Sequence, residues 1–525
     1  MCAGERIQIF DTTLRDGSQG AGVSFSSSDK LEIAARLDEM GFDYVEGGWP
    51  GSNPKDVEFF DEAKSRQFRH ARLVAFGSTR RAQLTAAEDS NLQALASAGT
   101  QAVVVFGKTW GLHVSDALRV QPADNLAMIE ESVAFLVALG KDVIYDAEHF
   151  FDGYKASPAF ALECLRAAVR AGAKTIVLCE TNGGALPDEV AKAVGAARDA
   201  MPDALLGIHT HNDGGMAVAN AVAAVQAGCR HIHGTVNGIG ERCGNADLCV
   251  LIPTLQLKLG YDLLPEDNLA HLTELSRYVY EMALMPPRDA QPYVGRSAFA
   301  HKGGVHVSAV QRNPMTYEHV EPRAVGNERR ILMSELSGRS TVLEKLNGSA
   351  DSSTMQEILE QVQNLEHAGY QFEAAEASFE ILSRRIMGTH RPYFNLVGFR
   401  VISELTEKQQ HLTEATIKLT VSGAEEHTAS DGNGPVNALD SALRKALVKF
   451  YPNLAELQLI NFKVRIVNPL ASTAARVLVL IESRDARDHW ATVGVSENII
   501  EASWIALVDS VEYKLLKDGS APPGA

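Results

Sequence analysis

The sequence predicts an α/β protein built on a (β/α)₈ TIM barrel, in which eight parallel strands alternate with helices. From residue 6 to about residue 260, short apolar runs rich in β-branched side chains alternate with segments of helical periodicity. The runs recur about every 26 to 40 residues, the length of one strand and helix unit. No GxGxxG motif follows the first run, which argues against a doubly wound open sheet. The predicted strands are residues 7–10, 44–48, 73–76, 102–106, 143–148, 175–180, 205–211 and 231–236.

Two of the helices between these strands have recognisable ends. Ser28 is suited to capping the first helix, and Gly41 is suited to ending it. Another helix follows the seventh strand, with Met216 and Ala219 on its apolar face and Gly228 as its stop. Both helices have the length expected of a barrel crossover.

The chain after the barrel predicts two further parts. We expect the catalytic barrel to span 1–265, helical linker subdomains to span 266–394, and a small α+β regulatory domain to span 395–525. In the last part, the sequence predicts strands at 415–423, 462–467 and 475–483, a helix at 436–451, and a strand followed by a helix within 492–516.

Composition narrows the class of protein. The formal net charge of −17 (49 Lys and Arg against 66 Asp and Glu) argues against a general role in binding nucleic acid. The first residues show no basic segment followed by an apolar run, and no apolar stretch approaches the ~20 residues of a membrane helix. The six cysteines form no CxxC pair. A cytoplasmic enzyme with reduced thiols and no membrane partner is the expectation.

Four side chains with metal-binding donor atoms follow neighbouring barrel strands. Asp16, the pair His209 and His211, and Asn245 come after strands 1, 7 and 8, which meet at one rim of a closed barrel. Taken singly, Asp16 would be a helix cap and Asn245 a loop hydrogen-bonding group. Together they suit Mn²⁺, Zn²⁺, Co²⁺ or Mg²⁺, with coordination positions left for a substrate.

Three motifs resemble one enzyme family. DTTLRDGSQ at 11–19, HTHNDGG at 209–215 and NGIGERCGNADL at 237–248 are similar to the family of α-isopropylmalate, homocitrate and citramalate synthases. These enzymes are metal-dependent barrels related to HMG-CoA lyases and biotin-dependent carboxyltransferases. The resemblance covers the whole chain, including a C-terminal domain like the family's regulatory domain. It implies an acyltransferase that joins the methyl carbon of acetyl-CoA to an α-keto acid.

The resemblance also implies roles for individual residues. It implies that the metal ligands are Asp16, His209 and His211, with Asn245 completing the shell directly or through water. Arg15 then corresponds to the arginine that polarises the keto oxygen.

The remaining implied groups hold the substrate or move protons. Thr181 corresponds to the hydroxyl that binds the keto-acid carboxylate, and Glu148 to the acidic residue that ends strand 5. His306 and Tyr317 correspond to groups from the segment after the barrel, which reaches across a dimer to the partner's barrel. Many relatives carry an acid two residues after this histidine, whereas this chain has Ser308. Glu148 and His306 both remain candidates for the base.

The choice of keto acid depends on the aromatic residues that end strands 3, 4 and 5. Phe76, Phe106 and Tyr145 are ordinary barrel packing unless they line the pocket, in which case they leave room for a methyl group and favour pyruvate. A 2-isopropylmalate or homocitrate synthase is the alternative within the family. The sequence LCETNGG at 178–184 has no lysine, which argues against a biotin-dependent carboxyltransferase. A lyase and a catalytically inactive metabolite-binding protein are further alternatives.

The C-terminal domain predicts feedback control. Its resemblance to the family's leucine-binding domain, together with a pathway that commits pyruvate to isoleucine, implies isoleucine as the effector. We expect the effector near the 431–437 and 494–500 loops, where backbone N–H groups at the start of helices are suited to an amino-acid carboxylate. A purely structural role in a homodimer is the alternative.

Overall fold

A computed structural model describes residues 4–302, 304–332, 351–405, 411–467 and 475–521. Eight parallel strands close into a barrel in sequence order, because β1 pairs with both β2 and β8. The predicted fold class is confirmed, and each predicted strand lies within three residues of the observed one. The barrel strands are β1 Gln8–Asp11, β2 Tyr44–Gly48, β3 Arg72–Ser78, β4 Ala102–Lys108, β5 Asp142–Glu148, β6 Thr175–Glu180, β7 Leu205–Thr210 and β8 His231–Gly234.

Alternating side chains of each strand divide between two apolar cores. The inner core fills the barrel and includes Phe10, Val104 and Ile144. The outer core lies between the strands and the surrounding helices and includes Val103 and Val143. Successive residues of a strand point to opposite faces, so a shift of one position moves a side chain from the cavity side to the helix side.

The first barrel helix shows how local sequence sets the ends of these elements. Its N-cap is Ser26, whose hydroxyl accepts from the Asp29 N–H while the Asp29 carboxylate accepts from the Ser26 N–H. The prediction of Ser28 as the cap was therefore wrong by two residues, because only Ser26 has an acidic residue three positions later. Gly41 ends the helix with φ 87°, as predicted.

The helices of the barrel unit surround the strands. The helix after β7 ends at Gly228 as predicted, but its buried face holds Ala217 and Ala221, whereas Met216 and Ala219 are exposed. The predicted apolar face was therefore wrong at Met216 and Ala219, because alanines occur all around this helix, whereas Val222, also predicted on that face, packs against the core. The helices are α1 Ser27–Met40, α2 Pro54–Ala63, α3 Ser90–Ser97, α4 Pro122–Ala138, α5 Phe150–Ala156, α6 Pro158–Arg170, α7 Pro187–Ala200, α8 Ala217–Ala227, α9 Leu248–Pro253, α10 Glu266–Leu269 and α11 Leu272–Met282.

The described chain divides into two compact units. The first contains the barrel and runs to Phe299, with the segment His319–Arg329; the second contains Ala300–Glu318 and the chain from Arg330 onward. The predicted boundaries at residues 265 and 394 stay a proposal. Among the described residues, none of the helices combines the length and apolarity that a bilayer crossing requires. The second unit contains β9 Ala300–His301, β10 Arg330–Ile331, and helices α12 Gly304–Arg312, α13 Ser352–His367 and α14 Glu376–Ile386.

The C-terminal part of the second unit repeats one arrangement. Each half has three antiparallel strands followed by a helix that covers one face of the sheet. Two strands, β11 and β13, lie outside the strand segments read from the sequence. The elements are β11 Asn395–Leu405, β12 His411–Val421, β13 Ala424–Gly432 and α15 Pro435–Leu447 in the first half, and β14 Gln458–Ile466, β15 Val477–Arg484, β16 His489–Ser496 and α16 Ile499–Lys517 in the second.

Candidate metal centre and active site

Asp16, His209 and His211 converge at the C-terminal end of the barrel. The Asp16 Oδ2 atom lies 3.3 Å from His209 Nε2 and 3.9 Å from His211 Nε2. The two Nε2 atoms lie 3.2 Å apart. All three side chains are buried, and among the described residues they are the group of His, Cys, Asp and Glu whose ligand atoms gather closely enough for one metal ion.

The local structure does not account for the side-chain oxygens of Asp16 and Asn245. Asp16 precedes a short helical turn, Gly17–Gln19, but its carboxylate makes no capping hydrogen bond. Asn245 donates from Nδ2 to the Ile239 carbonyl at 3.3 Å, whereas its buried Oδ1 has no hydrogen-bond partner. The Asn245 backbone pairs with that of His211. Neither the capping role of Asp16 nor a purely loop-bonding role of Asn245 accounts for these oxygens.

The ionisation of the cluster fits a cation. Burial alone would raise the pKa of Asp16, but the Arg15 guanidinium and His209 hold it well below its usual range. Burial, together with His209, lowers the pKa of His211 to about 4, so this imidazole is neutral near pH 7. One carboxylate and two imidazole nitrogens at these distances suit a divalent metal ion, and the buried Asn245 oxygen lies on the adjoining loop.

Arg15 supplies fixed positive charge beside the cluster. Its Nη1 lies 3.5 Å from Asp16 Oδ2, and its Nε donates to Glu46 Oε2 at 2.7 Å. The guanidinium carbon stacks 3.8 Å from the centre of the Phe76 ring. Burial alone would lower the pKa of Arg15, but Glu46 and Asp16 raise it. The guanidinium is therefore charged and held on three sides.

The end of β5 brings two carboxyl groups to the same opening. Glu148 forms an ion pair with Lys108, its register partner on β4. Asp146 lies two residues earlier on the same face, is buried, and has a carboxyl oxygen, Oδ1, without a hydrogen-bond partner. Burial and the nearby Glu46 carboxylate raise the pKa of Asp146.

A cavity of about 230 Å³ opens above the cluster. Arg15, Asp16 and the two histidines form its polar side, whereas Trp49, Phe76 and Phe106 form an aromatic wall. The Phe76 and Phe106 rings stack with centroids 5.2 Å apart, and both meet the Trp49 ring edge-on at 5.6 Å. This space is large enough for several water molecules or for one small keto acid.

Tyr145 does not line this cavity, so its prediction as a pocket residue is corrected. Its side chain is fully buried in the outer core, and a Cβ on Gly107 would lie 2.7 Å from its hydroxyl. Side chains alternate along β5, so Asp146 and Glu148 face the cavity and Tyr145 faces the helices.

Thr181 lies at the cavity edge and is held by two other loops. Its Oγ1 accepts from the His149 N–H at 2.9 Å, and its carbonyl accepts from Arg242 Nη2 at 2.7 Å. Arg242 is in turn anchored by Asp213, with Nε to Oδ1 at 2.9 Å and Nη2 to Oδ2 at 3.0 Å. The loops after β5, β6, β7 and β8 therefore meet around Thr181.

His306 and Tyr317 lie in the second unit. Their rings stack with centroids 4.2 Å apart, and both side chains are exposed. The structure therefore places His306 and Tyr317 in contact with each other. Their participation in catalysis stays a prediction.

Several residues that line the cavity or pair with its lining residues escaped the sequence analysis. Glu46 interrupts an apolar strand, and a buried carboxylate there is a signal that a cation lies nearby. Asp146 follows from counting two residues back from Glu148. Trp49 and Lys108 carry no local pattern that assigns them to the opening.

Comparison with known families divides the chain into three matched segments. Residues 6–279 match the family described as HMGL-like. Residues 293–369 match the homocitrate synthase post-HMGL domain-like family. Residues 373–515 match the LeuA allosteric (dimerisation) domain.

Curated relatives match over almost their whole length. The chain is 54% identical over 520 residues to the (R)-citramalate synthase of Aquifex aeolicus, covering 98% of both chains. It is also 54% identical to the (R)-citramalate synthase of Geobacter sulfurreducens, covering 97% of this chain and 98% of the relative. A probable 2-isopropylmalate synthase of Methanopyrus kandleri is 32% identical, covering 97% of this chain and 98% of the relative.

Proposed function

This chain belongs to the HMGL-like family, in the branch that contains the citramalate synthases, and we propose that it condenses acetyl-CoA with pyruvate and water to give citramalate and CoA. The observation that carries the proposal is the buried Asp16, His209 and His211 cluster, which opens beside Arg15 into a cavity sized for a small keto acid. The 54% identity to citramalate synthases over 98% of the chain supports pyruvate as that keto acid.

We propose that Asp16, His209 and His211 hold a divalent cation, with the Asn245 oxygen as a further donor. When bound, the cation would act as a Lewis acid toward the keto group. Arg15 faces the same cavity, so its guanidinium stabilises the negative charge that develops on the former keto oxygen during carbon–carbon bond formation. The Glu46 contact keeps this guanidinium in place before the substrate binds.

Proton transfer has two candidate groups. A base must take a proton from the methyl group of acetyl-CoA, and Glu148 lies at the cavity with its carboxylate paired to Lys108. His306 and Tyr317, which the family resemblance implicates, are stacked and exposed in the second unit, as is needed for contact with a partner chain.

Release of CoA tests the proposed activity directly. We expect purified protein with Mn²⁺ or Mg²⁺ to release free thiol from acetyl-CoA only when pyruvate is added. Thiol release must match citramalate production mole for mole. Absence of release with every small keto acid would leave the metabolite-binding alternative.

Pyruvate should be preferred over 2-ketobutyrate and 2-ketoisovalerate. One methylene contributes about 1–3 kcal/mol to discrimination by packing, or roughly 10- to 200-fold in kcat/KM. Enlarging the cavity with Phe106→Ala should therefore raise relative use of 2-ketobutyrate. The matched control is Tyr145→Phe, which changes an aromatic residue on the neighbouring strand, one register position earlier, that faces the helices and should keep the wild-type preference. Equal use of 2-ketoisovalerate by the wild type would overturn the choice of pyruvate.

A homodimer that shares His306 between chains can be tested by mixing subunits. The match to the LeuA allosteric (dimerisation) domain supports a homodimer. We expect inactive His306→Ala chains and inactive Asp16→Asn chains to regain part of the activity when they exchange into heterodimers. If mass spectrometry verifies subunit exchange but no activity returns, His306 does not take part in the reaction at the partner's barrel.

Isoleucine is the proposed feedback effector. The predicted 431–437 and 494–500 loops occupy equivalent places, since each joins the third strand of a repeat to its helix. Backbone N–H groups at the starts of α15 and α16 are suited to an amino-acid carboxylate. Beside α15 lies a cavity of about 700 Å³ whose lining includes Val436 and Asn437. The match to an allosteric domain supports regulation by a ligand in this region.

Isoleucine should inhibit the intact enzyme and bind to it in calorimetry. A preference of about 1–3 kcal/mol for the less active state is enough for regulation. Leucine is the matched control ligand, because it has the same number of atoms and a different branch point. Binding of neither amino acid, with no inhibition, would leave this part of the chain with only a structural role.

A further inference from the structure

His149 adopts a backbone conformation that is unusual for a residue with a side chain. Its φ is 57° and its ψ is 33°, in the left-handed region. It stands between Glu148, the last residue of β5, and Phe150, the first residue of α5. Non-glycine residues in this region persist only where the surroundings hold them, and they cluster at functional sites.

The His149 side chain is packed among other rings. His149 is 6% exposed, and its ring centroid lies 4.0 Å from that of His113 and 5.8 Å from that of Trp110. His113 begins a π-helical turn, His113–Leu118, a form that is uncommon and frequently found near functional sites. Two irregular backbone segments therefore pack against each other beside the cavity.

The peptide group that joins Glu148 to His149 is fixed at both ends. Its carbonyl accepts from the Thr109 N–H at 3.2 Å and from Thr109 Oγ1 at 2.6 Å, on the β4 side. Its N–H donates to Thr181 Oγ1 at 2.9 Å, on the β6 side. The left-handed turn at His149 lets the chain enter α5 while this peptide bridges the ends of β4 and β6.

The hydrogen bond from the His149 N–H determines how the Thr181 hydroxyl can bond to a further group. A hydroxyl has one proton to donate and two lone pairs to accept with. Because one lone pair of Thr181 Oγ1 is engaged by the His149 N–H, the hydroxyl proton remains for another acceptor. Thr181 lines the same cavity as Arg15, and a substrate carboxylate can only accept hydrogen bonds.

We propose that His149 is a positioning residue whose left-handed backbone orients the Thr181 hydroxyl as a donor to the carboxylate of the keto acid. The inference rests on the proposed function, because it requires a keto acid in the cavity. It assigns the importance of His149 to its backbone conformation, which glycine can also adopt.

Substitutions at His149 separate the effect of its backbone conformation from the effect of its imidazole. Glycine adopts the left-handed region without strain and asparagine tolerates it, whereas β-branched valine strongly disfavours it. We expect His149→Gly and His149→Asn to keep KM for pyruvate within about threefold of wild type. His149→Val should raise KM for pyruvate about tenfold or more, as should Thr181→Val, since a hydrogen bond to a charged group is lost. KM for acetyl-CoA serves as the internal reference and should change little.

The double variant His149→Val with Thr181→Val gives the decisive comparison. If His149 acts through Thr181, the double variant is no worse than Thr181→Val alone. The proposal would be overturned if the two substitutions had multiplying effects on KM for pyruvate in the double variant. It would also be overturned if His149→Gly were as impaired as His149→Val. Should His149→Val not fold, His149→Ala replaces it in both comparisons with the same criteria. Wild-type enzyme that releases no thiol with pyruvate contradicts the proposed function instead, so the two failures are distinguishable.

Discussion

His211→Ala, His209→Ala and Asp16→Asn should each abolish turnover while leaving the barrel folded. The two alanine variants each remove one imidazole donor, and Asp16→Asn replaces a carboxylate by a neutral amide, in a cluster whose ligand atoms gather within 4.8 Å. We expect loss of a ligand or of its charge to weaken binding of the proposed metal ion, which would supply the Lewis acid for the condensation. Metal content by mass spectrometry and thiol release should fall together, and circular dichroism should match the wild type.

His231→Gln is the matched control for these variants. His231 is another buried barrel histidine, on β8, where its Nδ1 lies 3.0 Å from Gln8 Oε1 and its Nε2 lies 3.0 Å from His233 Nε2. It is not among the three clustered ligands, so the variant should retain metal even if its melting temperature falls. Full activity in a metal-free His211→Ala protein would end the metal hypothesis.

The sequence predicted the barrel strands, and the residues at their C-terminal ends, better than any other part of the structure. All eight barrel strands were predicted, because buried parallel strands are continuous apolar runs of regular spacing. His209 and His211 were placed on one face by the two-residue period of a strand, and the structure brings their Nε2 atoms to 3.2 Å. The same period, applied to β5, would have replaced Tyr145 by Asp146, because Glu148 already marks the inward face.

Contacts between distant loops were not predictable in this way. The Arg15 and Glu46 pair joins residues 31 positions apart, and neither residue has a local pattern that identifies its partner. The hydrogen bond from His149 to Thr181 depends on a positive φ at a histidine, which the amino-acid type does not indicate. The strand β13 was missed because its exposed face is polar and its apolar positions are few.

Arg15→Gln should lower kcat by about 10²- to 10³-fold, the effect typical of removing one preorganised donor from a developing oxyanion. KM for acetyl-CoA should change little, because the guanidinium lies on the metal side of the cavity, between Asp16 and Phe76. The matched control is Arg72→Gln, which removes an arginine at the first residue of β3, paired with Asp142, and should keep kcat within a few-fold of wild type.

Two further variants test whether the position of the Arg15 charge matters as well as its presence. Arg15→Lys keeps a cation, but an ammonium lacks the planar fork that lets the guanidinium contact Glu46 while its face stacks on Phe76. We therefore expect Arg15→Lys to recover only part of the lost kcat. Glu46→Gln keeps an oxygen that can accept from Arg15 Nε, so it should cost less than Arg15→Gln. Wild-type kcat in a metal-loaded Arg15→Gln enzyme would contradict the role of Arg15, whereas wild-type kcat in Arg15→Lys would mean that charge alone is sufficient.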